Sequence, residues 1–144
     1  LAGSHGVKDA TIDPEQIKDW FEYLPYNIGL ACGQPSGIVV LDIDPRRHGD
    51  QWLAAAFDEH GEFAEGVFRS QTGGGGEHWF FTFKDELNHE IDPGVELIST
   101  GKYVLLPPSI HPSGRKYVWD CDRSPPKYDE YDTGESVEDT EVAV

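Results

Sequence analysis

The stretch Ile38-Val39-Val40-Leu41-Asp42-Ile43-Asp44 runs four apolar residues into an Asp-x-Asp pair. On an extended strand, side chains alternate faces, so Asp42 and Asp44 point the same way, about one pleat apart. Two carboxylates on one face at the end of a buried strand are costly unless something positive sits between them. The usual occupant is a hard divalent cation, which takes oxygen ligands. By itself Asp-x-Asp also describes two acids at an edge or turn. The apolar run before the pair and Pro45 after it place it where a sheet strand ends.

The loop Thr72-Gly73-Gly74-Gly75-Gly76 has two readings. It can be a flexible turn and nothing more. It can also let backbone N–H groups approach a phosphate closely, with no Cβ in the way. No Lys-Ser/Thr follows, which excludes a P-loop, and no helix follows to add its dipole. A strand bearing His78 follows instead. That imidazole is either structural or a hydrogen-bond donor to a phosphate oxygen. Glu96, between Val95 and Leu97, is either a solvent-face acid or a third metal ligand. Lys102, Ser109 and His111 come next in a polar stretch. Lys102 could screen a phosphate or be an ordinary hairpin-turn lysine. The sequence contains no Gly-x-Ser-x-Gly, His-Glu-x-x-His or paired Cys-x-x-Cys motif, so serine hydrolase, zincin and zinc-finger readings have no support.

These residues need elements to position them. Asp13 is suited to cap a helix that starts at Pro14, presents Ile17, Trp20, Phe21 and Leu24 at helical spacing, and ends near Pro25. That helix is expected to pack on a sheet. Residues 27–31 read as a short strand, 33–37 as a turn, and the Asp-x-Asp strand as its hairpin partner. A polar loop over 46–49 leads to a second helix over 51–60, with Trp52, Leu53, Ala56 and Phe57 on one face. Strands are expected at 67–71, 77–83, 94–98 and 103–106, with 117–119 closing the sheet. The order defines an α+β fold, an antiparallel or mixed sheet covered on one side by helices.

The 144 residues suffice for one domain, and 38% hydrophobic content suffices for one core. No apolar run approaches a membrane span, and no charged-then-apolar leader is present. Cys32 and Cys121 lack metal-ligand spacing and are expected as free thiols in a reducing cytosol. The net charge of −16 argues against broad, non-specific nucleic-acid binding, which needs Lys and Arg. Residues 120–144 hold nine acids against two bases, together with Pro125 and Pro126. The expected organisation is a tag-cleavage remnant at 1–5, a folded domain at 6–120, and an acidic, disordered linker at 121–144 leading to further domains.

In this order the motifs resemble the bifunctional DNA primase/polymerase (Prim-Pol) domain of the archaeo-eukaryotic primase superfamily, found in replication proteins of phages, plasmids and mobile elements. Five pieces carry the resemblance: Lys8-Asp-Ala-Thr-Ile-Asp-Pro-Glu-Gln-Ile17; Asn27-Ile-Gly-Leu-Ala-Cys-Gly33; Ser36-Gly-Ile-Val-Val-Leu-Asp-Ile-Asp-Pro45; Thr72-Gly-Gly-Gly-Gly-Glu-His78; and Gly101-Lys-Tyr-Val-Leu-Leu-Pro-Pro-Ser-Ile-His-Pro-Ser-Gly114. The resemblance implies a primase/polymerase-type, RRM-like sheet. It implies that Asp42, Asp44 and Glu96 are catalytic and hold two Mg2+ or Mn2+ ions. It implies that residues 72–76, His78, Lys102, Ser109 and His111 face an NTP or dNTP.

Three departures stand out. Gly76 replaces the Ser of the family's Ser-x-His motif. Ile98 replaces the Arg of its Asp-x-Arg motif, with Lys102 a partial substitute. The family's additional strand before Lys8 has no counterpart here, so a less active domain is expected. The implied chemistry is in-line attack of a 3′-hydroxyl on an α-phosphate, supported by two metals about 4 Å apart. Expected partners are a single-stranded DNA template and primer, with a helicase or basic domain C-terminal to the acidic stretch, in a bacterial cytoplasm. A non-catalytic nucleotide-binding scaffold and, more remotely, a metal-dependent nucleotide-sugar transferase are the rival readings.

Overall fold

The strand that runs into Asp-x-Asp, Ile38–Ile43, is central because it is apolar on both faces. The computed structural model describes residues 5–23, 25–64 and 66–120. The helices α1 and α2 span Pro14–Phe21 and Gly49–His60. The strands are β1 (Ile28–Ala31), β2 (Ile38–Ile43), β3 (Phe68–Gln71), β4 (Glu77–Thr82), β5 (His89–Asp92), β6 (Val95–Ile98), β7 (Tyr103–Leu106) and β8 (Val118–Trp119). Six of them form one sheet in the order β5-β6-β2-β4-β3-β8, and β1 and β7 form a separate two-stranded ribbon. Every strand pairing is antiparallel. The α+β class is as expected from the sequence.

Alternation along β2 serves two cores. Leu41 and Ile43 pack with Trp79 and Val95 on one face, and α2 lays Leu53, Trp52 and Phe57 onto it, joined by Phe63 and Val67. Three rings there meet edge to face, with Phe63 about 5.0 Å from both Phe57 and Trp79. On the opposite face, Val40, Phe80 and Ile98 pack with Leu30, Cys32 and Val104, which belong to or adjoin the ribbon. One face is thus covered by α2 and the other by strands.

Two expectations are corrected. First, β1 and β2 are not a hairpin. The turn over 33–37 forms, with a single bridge between Gly33 and Ile38, but β1 pairs with β7, from Ile28 opposite Leu106 to Ala31 opposite Tyr103. Gly33 redirects the chain. Its φ is +80°, and a Cβ there would lie 2.2 Å from the Thr100 amide nitrogen, so only glycine lets this turn sit against residue 100. Second, α1 contributes less to the core than expected, with Ile17, Trp20 and Phe21 only half-buried. It is capped by Asp13 as expected, the carboxylate accepting from the Glu15 amide at 3.0 Å. It stops at Phe21 rather than near Pro25, and it contains no buried residue. The strand β5 had no sequence signal. It is a polar edge strand, His-Glu-Ile-Asp, exposed along most of its length.

Cys32 is a free, fully buried thiol, which burial pushes up to about 11. No described helix is long and apolar enough to cross a membrane. Residues 1–4 of the expected remnant 1–5, Leu24, Cys121 and the acidic stretch 121–144 lie outside the described residues.

Because α2 contributes Leu53 to the core while α1 stays at the surface, truncating the two helices should differ. Leu53→Ala is expected to cost about 2–4 kcal/mol of stability. Ile17→Ala should cost about 1 kcal/mol or less. Urea unfolding of the two variants checks the difference; equal losses would mean that α1 carries core packing.

Candidate active site

Pairing on both sides of β2 sets the site. Asp42 lies directly opposite Glu96 of β6 and directly opposite His78 of β4. Directly opposed residues on paired strands share a face, about 4.5–5.5 Å apart at Cα. Glu96, Asp42 and His78 therefore form a row across three adjacent strands, on the side that the ribbon covers. Asp44 follows on the same face just past the end of β2, extended at φ −106°. Its amide donates to the Gly94 carbonyl at 2.7 Å, which ties the exit of β2 to the turn between β5 and β6.

The charges along this row are unevenly neutralised. Arg46 holds Asp44 with two bonds, Nε to Oδ1 at 2.9 Å and Nη2 to Oδ2 at 3.0 Å. This keeps the Asp44 carboxyl below the usual range. Glu96 is ion-paired with Lys102. Asp42, between them, has no Lys or Arg within ion-pair distance among the described residues. Burial pushes its carboxyl up to about 6, and Asp44 and then Glu96 add repulsion. His78 Nε2 lies 3.5 Å from Asp42 Oδ1, but burial pushes the imidazole down to about 4. The contact is thus a neutral ring beside a carboxylate, not an ion pair, at neutral pH. His78 Nδ1 and Ser70 Oγ, on directly opposed residues of β4 and β3, are buried without a hydrogen-bond partner.

A pocket of about 140 Å³ opens at this end of the sheet. Asp42, Asp44 and His78 line it from the sheet, and Thr72, Gly74, Gly76 and His111 line it from the loops. The glycine loop is a closed turn. The Gly75 amide donates to the Thr72 carbonyl and the Gly76 amide to Thr72 Oγ1, both at 2.9 Å. Among the described residues, the amides of Gly73 and Gly74 are left without an internal partner. His111 Nδ1 accepts from the Ser113 amide at 3.1 Å. The proton of the neutral ring is therefore on Nε2, the atom that faces Gly74. Two donor types thus meet at the pocket that the Asp42 and Asp44 carboxylates also line.

Not every candidate residue joins the pocket. Gly73 and Gly75 complete the loop without lining it. Lys102 sits against Glu96 beside the row. Ser109 is buried, its hydroxyl accepting from the Ile28 amide at 2.9 Å, so it secures β1 to the segment after β7. Ile98 is buried among Val40, Leu30 and Val104, so the position where the related motif has Arg is core here. Three residues not singled out from the sequence belong to the site. Arg46 and Tyr117 line the pocket. The Arg115 guanidinium reaches over the glycine loop, 3.7 Å from where a Cβ on Gly75 would stand. Tyr117 sits 6.0 Å from the His78 ring and 6.5 Å from that of His111. Its phenol is pushed up by burial and then by Asp42. The only sequence signal for Arg46 was adjacency to Asp-x-Asp.

Among the described residues, no three His, Cys, Asp or Glu side chains stand close enough together to hold a metal ion in this arrangement. The donor chemistry nevertheless fits a hard divalent cation. Three carboxylates share one face, and the middle one carries a charge that its neighbours repel. Its outer members are ion-paired with Arg46 and Lys102.

The fold places the chain among α+β domains built on an antiparallel sheet, with an acidic pocket at the exit of the central strand. The chain belongs to the bifunctional DNA primase/polymerase N-terminal family, whose model matches residues 2–130. Membership assigns it to a family of DNA primases and polymerases that generally use divalent metals. No curated protein and no solved structure matches the chain.

Two outcomes follow from this geometry. A Cβ on Gly76 would lie 2.3 Å from the Ile43 carbonyl oxygen, so the loop reaches β2 only with glycine at this position. Gly76→Ser, which restores the related motif's serine, is expected to lose about 1–3 kcal/mol of stability in thermal unfolding; an unchanged melting temperature would contradict the close approach. Asp42 ionises near 6 in the folded state against 3.8 for the ordinary carboxyl, so its charge destabilises the fold once the pH exceeds that window. With chelator present, Asp42→Asn should stabilise at neutral pH by on the order of 1 kcal/mol, discounted for partial exposure. The gain should shrink as the pH falls through 6 toward 3.8, read as the difference in melting temperature from the parent chain.

Proposed function

We propose that this domain is the nucleotidyl-transfer module of a DNA primase/polymerase from a phage- or plasmid-type replication protein. The observation that carries the reading is the strand register that sets Glu96 beside Asp42, with Asp44 one pleat on. Asp42, Asp44 and Glu96 would hold two Mg2+ or Mn2+ ions. When bound, such ions activate an attacking 3′-hydroxyl and stabilise departing pyrophosphate.

The rest is positioning by the chain's own groups. The Gly74 amide and His111 Nε2, both at the pocket, donate to triphosphate oxygens, and the neutral His78 ring offers a proton without bringing charge. Arg115 supplies positive potential above the loop. The glycine loop contributes through the Gly74 amide, because Thr72 takes up those of Gly75 and Gly76, and Gly73 does not line the pocket. The substrates are a nucleoside triphosphate and a primer end on single-stranded DNA. With a net charge of −16, the domain contributes the nucleotide site, while a C-terminal helicase or basic domain supplies affinity for the template. The setting is the cytoplasm of a bacterial host.

A second reading is a nucleotide-binding module without catalysis. It is favoured by Ile98, which puts a core side chain where the related motif has a cation.

The test combines binding and turnover. Calorimetric titration with Mn2+ and a deoxynucleoside triphosphate should show metal-dependent binding that Asp42→Asn/Asp44→Asn abolishes. Template-directed primer extension should be lost in the same variant. Binding without extension would establish the non-catalytic module. Absence of binding in the parent chain would overturn the nucleotide site altogether.

A further inference from the structure

Two of the three carboxylates each hold a side-chain cation where the proposed site needs an oxygen donor. The better defined pair is Arg46 on Asp44, bonded at 2.9 and 3.0 Å. Asp44 Oδ1 also accepts the Arg46 amide at 3.0 Å, which fixes the backbone of the Pro45–Arg47 turn independently of the guanidinium. The Arg46 side chain is 70% exposed. It can therefore leave Asp44 by rotating its own torsions, with no core to unpack and no backbone to move. It also lines the pocket, together with Gly74 and Gly76 of the glycine loop.

Of the other described arginines, Arg115 reaches over the glycine loop with no carboxylate to exchange, and two more are committed elsewhere. Arg47 pairs with Glu90 at 2.7 Å, and Arg69 is held by Asp120 and Glu77. A guanidinium fork fits phosphate as well as it fits carboxylate. An exposed ion pair is worth little, so exchanging one anion for another is close to balanced. That balance is what an exchange between two partners requires.

Building on the proposed nucleotide site, we propose that Arg46 is a displaceable counter-ion: it occupies Asp44 while no divalent cation is bound, yields that carboxylate when one enters, and turns into the pocket to pair with the triphosphate. No bond other than hydrogen bonds and ion pairs changes. The domain thereby avoids leaving Asp44 uncompensated beside Asp42 when empty, and gains a positive group on the phosphates when loaded. Arg46 meets the phosphate directly in this account, with opposite effects on the two ligands.

The opposite signs make the test. Mn2+ alone is titrated by calorimetry into the parent chain, Arg46→Ala and Arg47→Ala; the last removes the same charge one residue away, outside the pocket. Arg46→Ala is expected to bind Mn2+ about two- to fivefold more tightly than the parent. Arg47→Ala should match the parent. With Mn2+ saturating, Arg46→Ala should bind inorganic tripolyphosphate about tenfold more weakly, and Arg46→Lys should recover part of that loss. Melting temperatures confirm that each variant is folded. Unchanged or weaker Mn2+ binding in Arg46→Ala, or an equal gain in both alanine variants, overturns the exchange and leaves the nucleotide site standing. A parent chain that binds no Mn2+ overturns both.

Discussion

The antiparallel pairing of β2 with both β4 and β6 is the constraint on which the rest depends. It opposes Asp42 to His78 on one side and to Glu96 on the other. A shift of one residue in either register would turn His78 or Glu96 to the α2 face, into the aromatic cluster around Trp79. The register is in turn secured by packing. Val40, Phe80 and Ile98 must meet the ribbon, while Leu41, Trp79 and Val95 must meet α2. Both faces of the sheet are committed, so the site inherits its geometry from two cores rather than from local loop structure.

That arrangement has an electrostatic cost. Three acids gather where the sheet ends, and burial raises the middle one. Natural folds tolerate such stress where binding relieves it. The flanking acids are quieted by Arg46 and Lys102, and the imidazole beside Asp42 stays neutral because it too is buried. The result is one pocket lined by Asp42 and Asp44 from the sheet end and by Gly74, Gly76 and His111 from the loops, with Glu96 beside Asp42 on the neighbouring strand but outside the lining. A phosphate chain bridging metal ions needs acids and donors brought together in this way.

Much of the site was legible because it follows from period and composition. An apolar strand ending in Asp-x-Asp, a glycine-rich turn followed by an aromatic strand, and a helix with Trp52, Leu53 and Phe57 on one face all have local signatures. What was missed depends on non-local partners. β1 was assigned to the strand next in sequence, whereas it pairs with β7, because chain proximity cannot reveal which layer a glycine turn sends a strand into. β5 lacks the alternation that marks a half-buried strand, being an edge. Ser109 looked like a ligand because a hydroxyl has no signature distinguishing a backbone staple from a phosphate contact. Arg46, Tyr117 and Arg115 were read as loop, sheet and turn residues. Their relevance arises only when three separated segments close around one pocket. Glycine at position 76 looked like a departure from a motif, and the contact with Ile43 gives it a steric reason.

The central claim is that Asp42, Asp44 and Glu96 together form a divalent-metal site. The most direct measurement is a crystal structure of this chain grown with Mn2+ and a non-hydrolysable deoxynucleoside triphosphate, with the metal located by its anomalous scattering. The account predicts anomalous density in contact with Asp42, Asp44 and Glu96, with the triphosphate extending from it toward Gly74 and His111. Metal density elsewhere, or none while Arg46 and Lys102 remain on their carboxylates with nucleotide bound, would contradict it.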